Sequence, residues 1–335
     1  MRRNLLLLCA LAAALSLAAL LSFMIGRYPI SPGQVLGIMF SKILSLTPWW
    51  ESRMETIFFQ VRLPRVLLCV LVGGALSASG AAYQAVFANP MASPDVLGAS
   101  SGAAFGAALC ILLGMSSRVV ALFAFAFGLA AVLLAVPIAS RSRGNRVTML
   151  VLTGIMISSL FSSGTSYIKL VADPTDQLPA ITYWLMGSLA GARMDEVGLA
   201  AVPVILGIAA LCALGWRLNI LTLGDEEAAT LGVNVRATRL AIVLCATLIT
   251  AASVAVSGVI GWIGLVVPHL ARKLTGNDNR MVVSVSALTG ALFLLAVDNL
   301  SRTLWTSEVP LGILTAFVGA PFFVYLLSKK GAPGI

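Results

Sequence analysis

The residues of this chain that could carry out chemistry are few, and they stand in short groups between long apolar runs. The single histidine, His269, is far in sequence from all five cysteines, and no Cys-x-x-Cys spacing occurs. A zinc or redox site needs such a grouping of ligands. The dipeptide Gly-Lys is absent, so the chain has no GxxxxGK[ST] loop for a nucleotide. We therefore expect no enzyme activity and no metal or cofactor site.

Hydroxyl and amide side chains recur within two of the apolar runs, where they could line a weakly polar pathway. The predicted pathway residues are Ser77, Gln84, Ser159, Ser162, Ser163 and Ser166. Spacings of three and four residues place the serines of the second run on one stripe of a helix. A competing interpretation is packing alone, because small residues let membrane helices approach closely and serines bond between helices.

The elements that must position these side chains are membrane-spanning helices. Hydrophobic residues make up 59% of the chain and charged residues 10%, whereas soluble proteins carry about 25% charged residues. Lipid must therefore cover most of the surface. The net charge of +9 is spread over short groups between apolar runs, which argues against nucleic acid as a partner. Runs of spanning length lie at 5–25, 63–88, 97–113, 119–139, 147–169, 197–215, 281–300 and 309–327.

The apolar stretch 238–271 decides the topology. It is too long for one ordinary crossing, and Gly258, Gly261, Gly264 and Pro268 interrupt it. If it forms two helices, the chain has ten spans and both termini are cytoplasmic. The inner side then holds 13 of the 22 basic residues: Arg2, Arg3, Arg141, Arg143, Arg146, Arg217, Arg236, Arg239, Arg272, Lys273, Arg280, Lys329 and Lys330. A single helix would leave nine inside, so the positive-inside rule favours ten spans.

The cytoplasmic segment 221–235 has the pattern of a short helix outside the membrane. The acidic triplet Asp225 to Glu227 suits the positive end of a helix, and Gly232 stands where a C-terminal cap would fall. The segment could be a merely solvated loop helix or an element that fits a groove on a partner. No soluble domain interrupts the runs, so we expect one transmembrane domain over residues 1–335.

Several motifs in order along the chain resemble the FecCD family of importer permeases. They are Val-Arg-Leu-Pro-Arg at 61–65, Ala-Asn-Pro-Met-Ala-Ser-Pro-Asp-Val-Leu-Gly at 88–98, Gly-Trp-Ile-Gly-Leu-Val-Val-Pro-His-Leu-Ala-Arg at 261–272, Glu-Val-Pro-Leu-Gly-Ile at 308–313 and Gly-Ala-Pro-Phe at 319–322. The resemblance implies an all-α fold of ten transmembrane helices, in the type II architecture of ATP-binding-cassette (ABC) importers. It further implies a homodimer in the bacterial inner membrane, with two cytoplasmic ATPase subunits and a periplasmic substrate-binding protein.

The resemblance also gives roles to particular residues. Arg62 and Arg65 fit the family's outer arginine motif, and with Arg302 they would meet acidic residues of the binding protein. Arginine suits that role because its planar fork pairs bidentately with a carboxylate. Contact with the ATPase would fall to Leu223, Gly224, Asp225, Glu226, Glu227, Ala228, Leu231 and Gly232. Among family cargoes we expect a ferric siderophore first, then haem, cobalamin or molybdate.

A secondary carrier driven by an ion gradient is the main alternative. The starts of the second and seventh spans are faintly alike and oppositely oriented, as in inverted repeats. However, such carriers need ionisable groups within the membrane, and these are scarce here: Lys169 ends the fifth span, and Asp298 lies near the outer end of the ninth. Its simpler interpretation is an interfacial acid paired with Arg302. A membrane scaffold has no supporting motif.

Overall fold

The computed structural model describes residues 2–26, 28–44, 47–142 and 144–328. All regular secondary structure in these residues is helical, and they contain no strand. The helices are α1 Arg2–Met24, α2 Pro32–Leu44, α3 Ser52–Ile57, α4 Leu63–Val86, α5 Ala99–Leu112, α6 Ser117–Arg141, α7 Arg146–Val171, α8 Gln177–Leu185, α9 Met194–Ala213, α10 Gly215–Leu221, α11 Asp225–Thr230, α12 Val235–Ser257, α13 Ile263–Thr275, α14 Asn279–Thr303 and α15 Leu311–Ser328. A π-helical turn, Phe58–Arg62, joins α3 to α4, and a 3₁₀ turn, Pro94–Leu97, precedes α5.

Seven of these helical segments are long and apolar enough to cross a membrane: α1, the continuous helix Ser52–Val86, α6, α7, α9, α12 and α14. Two shorter apolar helices, α5 and α15, accompany them. The fold is therefore that of a multi-pass helical membrane protein. Arg143, Lys329 and Lys330, which the charge count places inside, lie outside the described residues.

The apolar stretch 238–271 is divided into two helices, as predicted. α12 ends at Ser257 and α13 begins at Ile263. Gly258 and Trp262 in the turn between them have φ angles of +67° and +70°. Glycine adopts such angles freely, whereas tryptophan does so rarely. The turn is braced by its neighbours, since the Ser188 amide donates to the Ser257 carbonyl at 2.8 Å.

α4 is the centre of the bundle, with most of its residues buried against α9, α12, α13 and α14. Glycines allow this packing to bring backbones into contact. A Cβ atom on Gly80 would lie 1.9 Å from the carbonyl oxygen of Gly264, and one on Gly73 would lie 2.4 Å from that of Gly290. Close approach through small residues is the usual means of joining helices in lipid. α4, α13 and α14 thus pack as one unit.

Candidate functional site

One face of α7 has no neighbour among the described residues of the chain and carries the predicted hydroxyl stripe. Ser159, Ser162, Ser163 and Ser166 are all exposed on it. The hydroxyl of Ser159 donates to the Ile155 carbonyl at 2.9 Å, and that of Ser166 donates to the Ser162 carbonyl at 3.0 Å. Bonds within the helix leave the face only weakly polar.

Large apolar residues share this face of α7. The side chains on it that are 66–80% exposed are Met156, Leu160, Tyr167 and Leu170. A mixed stripe of serines and large apolar side chains is unsuited to water, so lipid or another protein surface must cover it in the membrane. The predicted stripe is thus in place on an uncovered surface.

A polar cleft of about 400 Å³ lies beside this face, between α5, α7 and α8. Its polar lining consists of Asp95, Ser100, Ser101, Ser162, Thr165, Ser166 and Lys169. Asp95 accepts a hydrogen bond from the Ser100 hydroxyl. The cleft therefore combines a carboxylate, an ammonium group and hydroxyls next to the exposed stripe, which is a set able to hold a polar cargo.

Asp95 lies in a polar turn between the apolar runs 63–88 and 97–113, and this turn packs against α7. A Cβ on Gly154 would lie 2.3 Å from the Val96 carbonyl oxygen. Gly154 is eight residues beyond the first residue of α7, Arg146, which is about 12 Å along the helix. The 3₁₀ turn thus lies inside the bundle. Hydropathy could not show this, because a short polar turn between two apolar runs is typical of a loop in water.

The other two predicted pathway residues, Ser77 and Gln84, lie outside this cleft. Both belong to α4 and are buried among helices of the same protomer. Ser77 Oγ lies against Gly290 of α14. The Gln84 amide donates to the Leu265 carbonyl at 3.2 Å and accepts from Arg272. Since α4 is central rather than peripheral, these polar residues contact neighbouring helices, and their part in a pathway stays a prediction.

The three outer arginines lie in a buried group of charges, here called the outer charge cluster: Arg62, Arg65, Asp298, Arg302 and Glu308. Arg65 donates through Nε to Asp298 Oδ1 at 2.8 Å and through Nη1 to both oxygens of Glu308, at 2.8 and 3.0 Å. Arg302 Nε lies 3.1 Å from Asp298 Oδ2. The cluster therefore joins α4 to α14 and to the segment before α15.

Further bonds of the outer charge cluster go to the end of α1 and to the residues that follow it. Arg62 donates to the carbonyls of Phe23 and Tyr28, and Arg302 donates to the Ile25 carbonyl at 3.1 Å. The exposed fractions of Arg62, Arg65 and Arg302 are 4%, 3% and 8%. None of the three presents a free guanidinium group to a partner in this conformation. The pairing of Asp298 with Arg302 is as predicted, but both are buried rather than interfacial.

The predicted helix in segment 221–235 is present as α11, flanked by two glycines with positive φ. Gly232, at φ +78°, forms the predicted C-terminal cap, with the Val233 amide donating to the Ala228 carbonyl at 3.1 Å. Gly224, at φ +122°, precedes the helix in a conformation open only to glycine.

The side chains of α11 divide into an anchored and an exposed set. Ala228 is buried, while Glu226 and Glu227 are exposed along with Leu223 and Leu231, which flank the helix. Asp225 accepts from Arg239 of α12 at 2.6 and 3.1 Å, and this bond lowers the pKa of the carboxyl. α11 is thus fixed to the bundle at its start and presents two leucines and two acids outward.

His269 is half-buried in the middle of α13. Among the described residues, no three His, Cys, Asp or Glu side chains are grouped so that they could hold a metal ion.

The model of the FecCD transport family matches residues 14–329 of the chain. The chain is 37% identical to the molybdate import system permease protein MolB of Haemophilus influenzae, over 97% of each chain. It is 41% identical to the hemin transport system permease protein HmuU of Yersinia pestis, over 86% of this chain and 89% of that protein. A solved structure described as an inward-facing conformation of a putative metal-chelate type ABC transporter superposes with a TM-score of 0.86 at 36% identity, covering 96% of this chain and 98% of the other.

Proposed function

Since the chain belongs to the FecCD transport family of ABC importer permeases, we propose that it carries a metal chelate, first of all a ferric siderophore, across a bacterial inner membrane. The observation that carries this proposal is the chain-long likeness to a structure described as a metal-chelate transporter. An Fe(3+)-citrate permease of Bacillus subtilis, YfmE, is 38% identical over 97% of this chain. The chain itself supplies the pathway, and separate subunits hydrolyse ATP.

We propose ten spans with both termini cytoplasmic, in one permease domain over residues 1–335. Seven helical segments have spanning length, and α5, α13 and α15 bring the number to ten. These three are shorter, which fits helices that begin or end at turns inside the bundle, such as the turn containing Asp95. The excess of basic residues on the side that carries α11 supports the orientation.

We propose that two copies assemble through the exposed face of α7, so that their serine stripes enclose the pathway. The uncovered mixture of serines and large apolar residues supports this, because a second copy would cover the apolar part and leave hydroxyls toward the axis. The cleft with Asp95 and Lys169 would then open onto the pathway. Weak polarity suits a large cargo, since it must leave as readily as it enters.

We propose that the exposed side of α11, with Leu223 and Leu231, contacts one ATPase subunit per protomer. Movement of the ATPases would be transmitted through the Asp225–Arg239 pair to α12, which packs directly on α4. The pair would act as a rigid link between α11 and α12, because Arg239 donates to both carboxylate oxygens of Asp225.

Docking of a periplasmic binding protein on Arg62, Arg65 and Arg302 stays a proposal. These side chains are paired internally, so docking requires the outer charge cluster to open. Charge reversal in an Arg62→Glu/Arg65→Glu variant should abolish pull-down of the binding protein. Asp298→Asn is the control, since it disrupts the cluster but retains the arginines. Equal loss in both variants would assign the effect to the integrity of the cluster rather than to docking.

Uptake in proteoliposomes tests the transport proposal. The chain would be reconstituted with its ATPase and loaded binding protein, and entry of a radiolabelled ferric siderophore measured with and without ATP. Uptake that needs ATP and survives an ionophore is expected, whereas uptake that an ionophore abolishes would favour a secondary carrier. Molybdate is the second cargo to test, because the molybdate permease matches over nearly the full length of both chains. Haem and cobalamin complete the comparison.

A further inference from the structure

An apolar groove opens between α6, α7 and α12 at the end of the bundle that carries α11. It encloses about 430 Å³. Three of its leucines, Leu133, Leu240 and Leu244, are exposed on the outside of the bundle. Of the residues that line it, Arg239 alone has a role proposed above, through its pair with Asp225. Its apolar walls at membrane depth suit a hydrocarbon chain.

Three arginines line the same groove: Arg146, Arg236 and Arg239. Arg146 is the first residue of α7 and Arg236 is the second of α12. Helix N-termini carry partial positive charge, so cations there are unfavourable without an anion nearby. Within the described part of the chain, no carboxylate lies within 4.0 Å of Arg146 or Arg236, whereas Arg239 pairs with Asp225. Positive potential is therefore concentrated where the groove ends.

Arg239 gives a second and independent indication of a missing ligand. Its residue is only 7% exposed, and its Nη atoms are occupied by Asp225. Its Nε atom is buried and finds no acceptor among the described residues. A buried donor without an acceptor is costly, and this one lines a groove that also holds Arg146 and Arg236, neither of which has an ion-pair partner within 4.0 Å among the described residues.

We propose that the groove binds an anionic phospholipid of the cytoplasmic leaflet. Its phosphate would accept hydrogen bonds from Arg146, Arg236 and the free Nε of Arg239, and an acyl chain would lie along Leu133, Leu240 and Leu244. Basic pockets between helices on the cytoplasmic side are suited to such headgroups, and guanidinium groups pair well with phosphate. Because Arg239 also holds Asp225, the lipid would touch the residue that anchors α11.

Native mass spectrometry of the full-length detergent-solubilised protein tests this, with phosphatidylglycerol and phosphatidylcholine titrated separately. We expect the wild type to prefer phosphatidylglycerol. Arg146→Gln/Arg236→Gln should weaken phosphatidylglycerol binding roughly 30-fold, since each arginine beside an anionic headgroup contributes a factor of about five. Arg217→Gln/Lys273→Gln is the matched control, because it removes two exposed positive charges at the same end of the bundle and should leave the preference intact.

Two further arms separate a lipid site from a general anion site. Leu244→Trp should fill the groove and release phosphatidylglycerol while all three arginines remain. Inorganic phosphate added at the concentration of the lipid should not displace it. Equal retention of the two lipids by the wild type, an unchanged preference in Arg146→Gln/Arg236→Gln, or displacement by inorganic phosphate would each overturn the proposal.

Discussion

Replacing Asp298 by asparagine should be among the most damaging conservative changes in the chain. Asp298 is fully buried, accepts a hydrogen bond from Arg65 at 2.8 Å and forms an ion pair with Arg302 at 3.1 Å. Asparagine keeps the size but removes the negative charge, so Arg302 loses its acidic partner and Arg65 keeps only Glu308. Leaving a buried charge uncompensated costs about 3–5 kcal/mol. We expect Asp298→Asn to lower the free energy of unfolding by about that amount.

Asp195 provides a matched control at the same end of the bundle. It too is an aspartate between two arginines, at 2.6 Å from both Arg118 and Arg193, but all three side chains are well exposed. Water and salt screen such pairs, so exposed ion pairs contribute little to stability. Asp195→Asn should therefore leave stability almost unchanged.

Thiol reactivity offers a direct assay, since Cys69 and Cys110 are buried in the folded chain. A maleimide dye that fluoresces on reaction with cysteine would report unfolding on heating or in denaturant, in a background where exposed Cys9 is replaced by alanine. Asp298→Asn/Arg302→Met should recover part of the loss, because it removes one of the uncompensated charges. Equal stability of Asp298→Asn and Asp195→Asn would refute the reasoning.

Three further predictions concern α11 and α7. Gly224→Ala imposes strain of about 1–3 kcal/mol, because only glycine adopts the backbone conformation of residue 224 readily. The variant should show reduced ATP-driven uptake while ATP hydrolysis continues. Uptake at the wild-type level would contradict the coupling role of α11. The lowered pKa of Asp225 means that its pair with Arg239 stabilises the fold fully above about pH 4 and loses this effect as the pH falls through the lowered pKa. On acidification, the free energy of unfolding of Asp225→Asn should therefore fall less than that of the wild type. An identical fall in both proteins would show that the Asp225–Arg239 pair is not the cause of the acid destabilisation. Cysteines in place of Ser159 and Ser163 should form disulfide cross-links between two copies in the membrane, and the dimer proposal fails if no nucleotide state gives them.

Local and periodic features were predictable from the sequence. The length of the apolar runs located most spanning helices, since a helix must have a minimum length to cross a membrane of fixed thickness. The division of 238–271 followed from its length and its glycines, and α11 followed from its acidic start and the Gly232 cap. Each of these depends on residues near one another in the chain.

Features that depend on distant residues were not predictable. Arg65 and Asp298 are 233 positions apart, so nothing near the arginine motif shows that its charge is already neutralised. An arginine at the end of a span was therefore expected to face water. The central position of α4 was equally unpredictable, because hydropathy shows that a span is apolar but not whether lipid or protein surrounds it. The burial of Ser77 and Gln84 within the bundle could not be predicted for that reason.

The backbone contacts of α4 also bear on how this sequence can change over time. At Gly73, Gly80, Gly264 and Gly290 even a methyl group would collide with a facing main chain, and a main chain cannot turn aside as a side chain can. A side chain at one of these positions would fit only if both helices moved apart, and no second single substitution can bring about such a movement. Sequence drift should therefore be slowest at four residues that have no functional group at all. A random library scored for membrane insertion and folding would show them as intolerant, while many charged positions outside the outer charge cluster accept replacement.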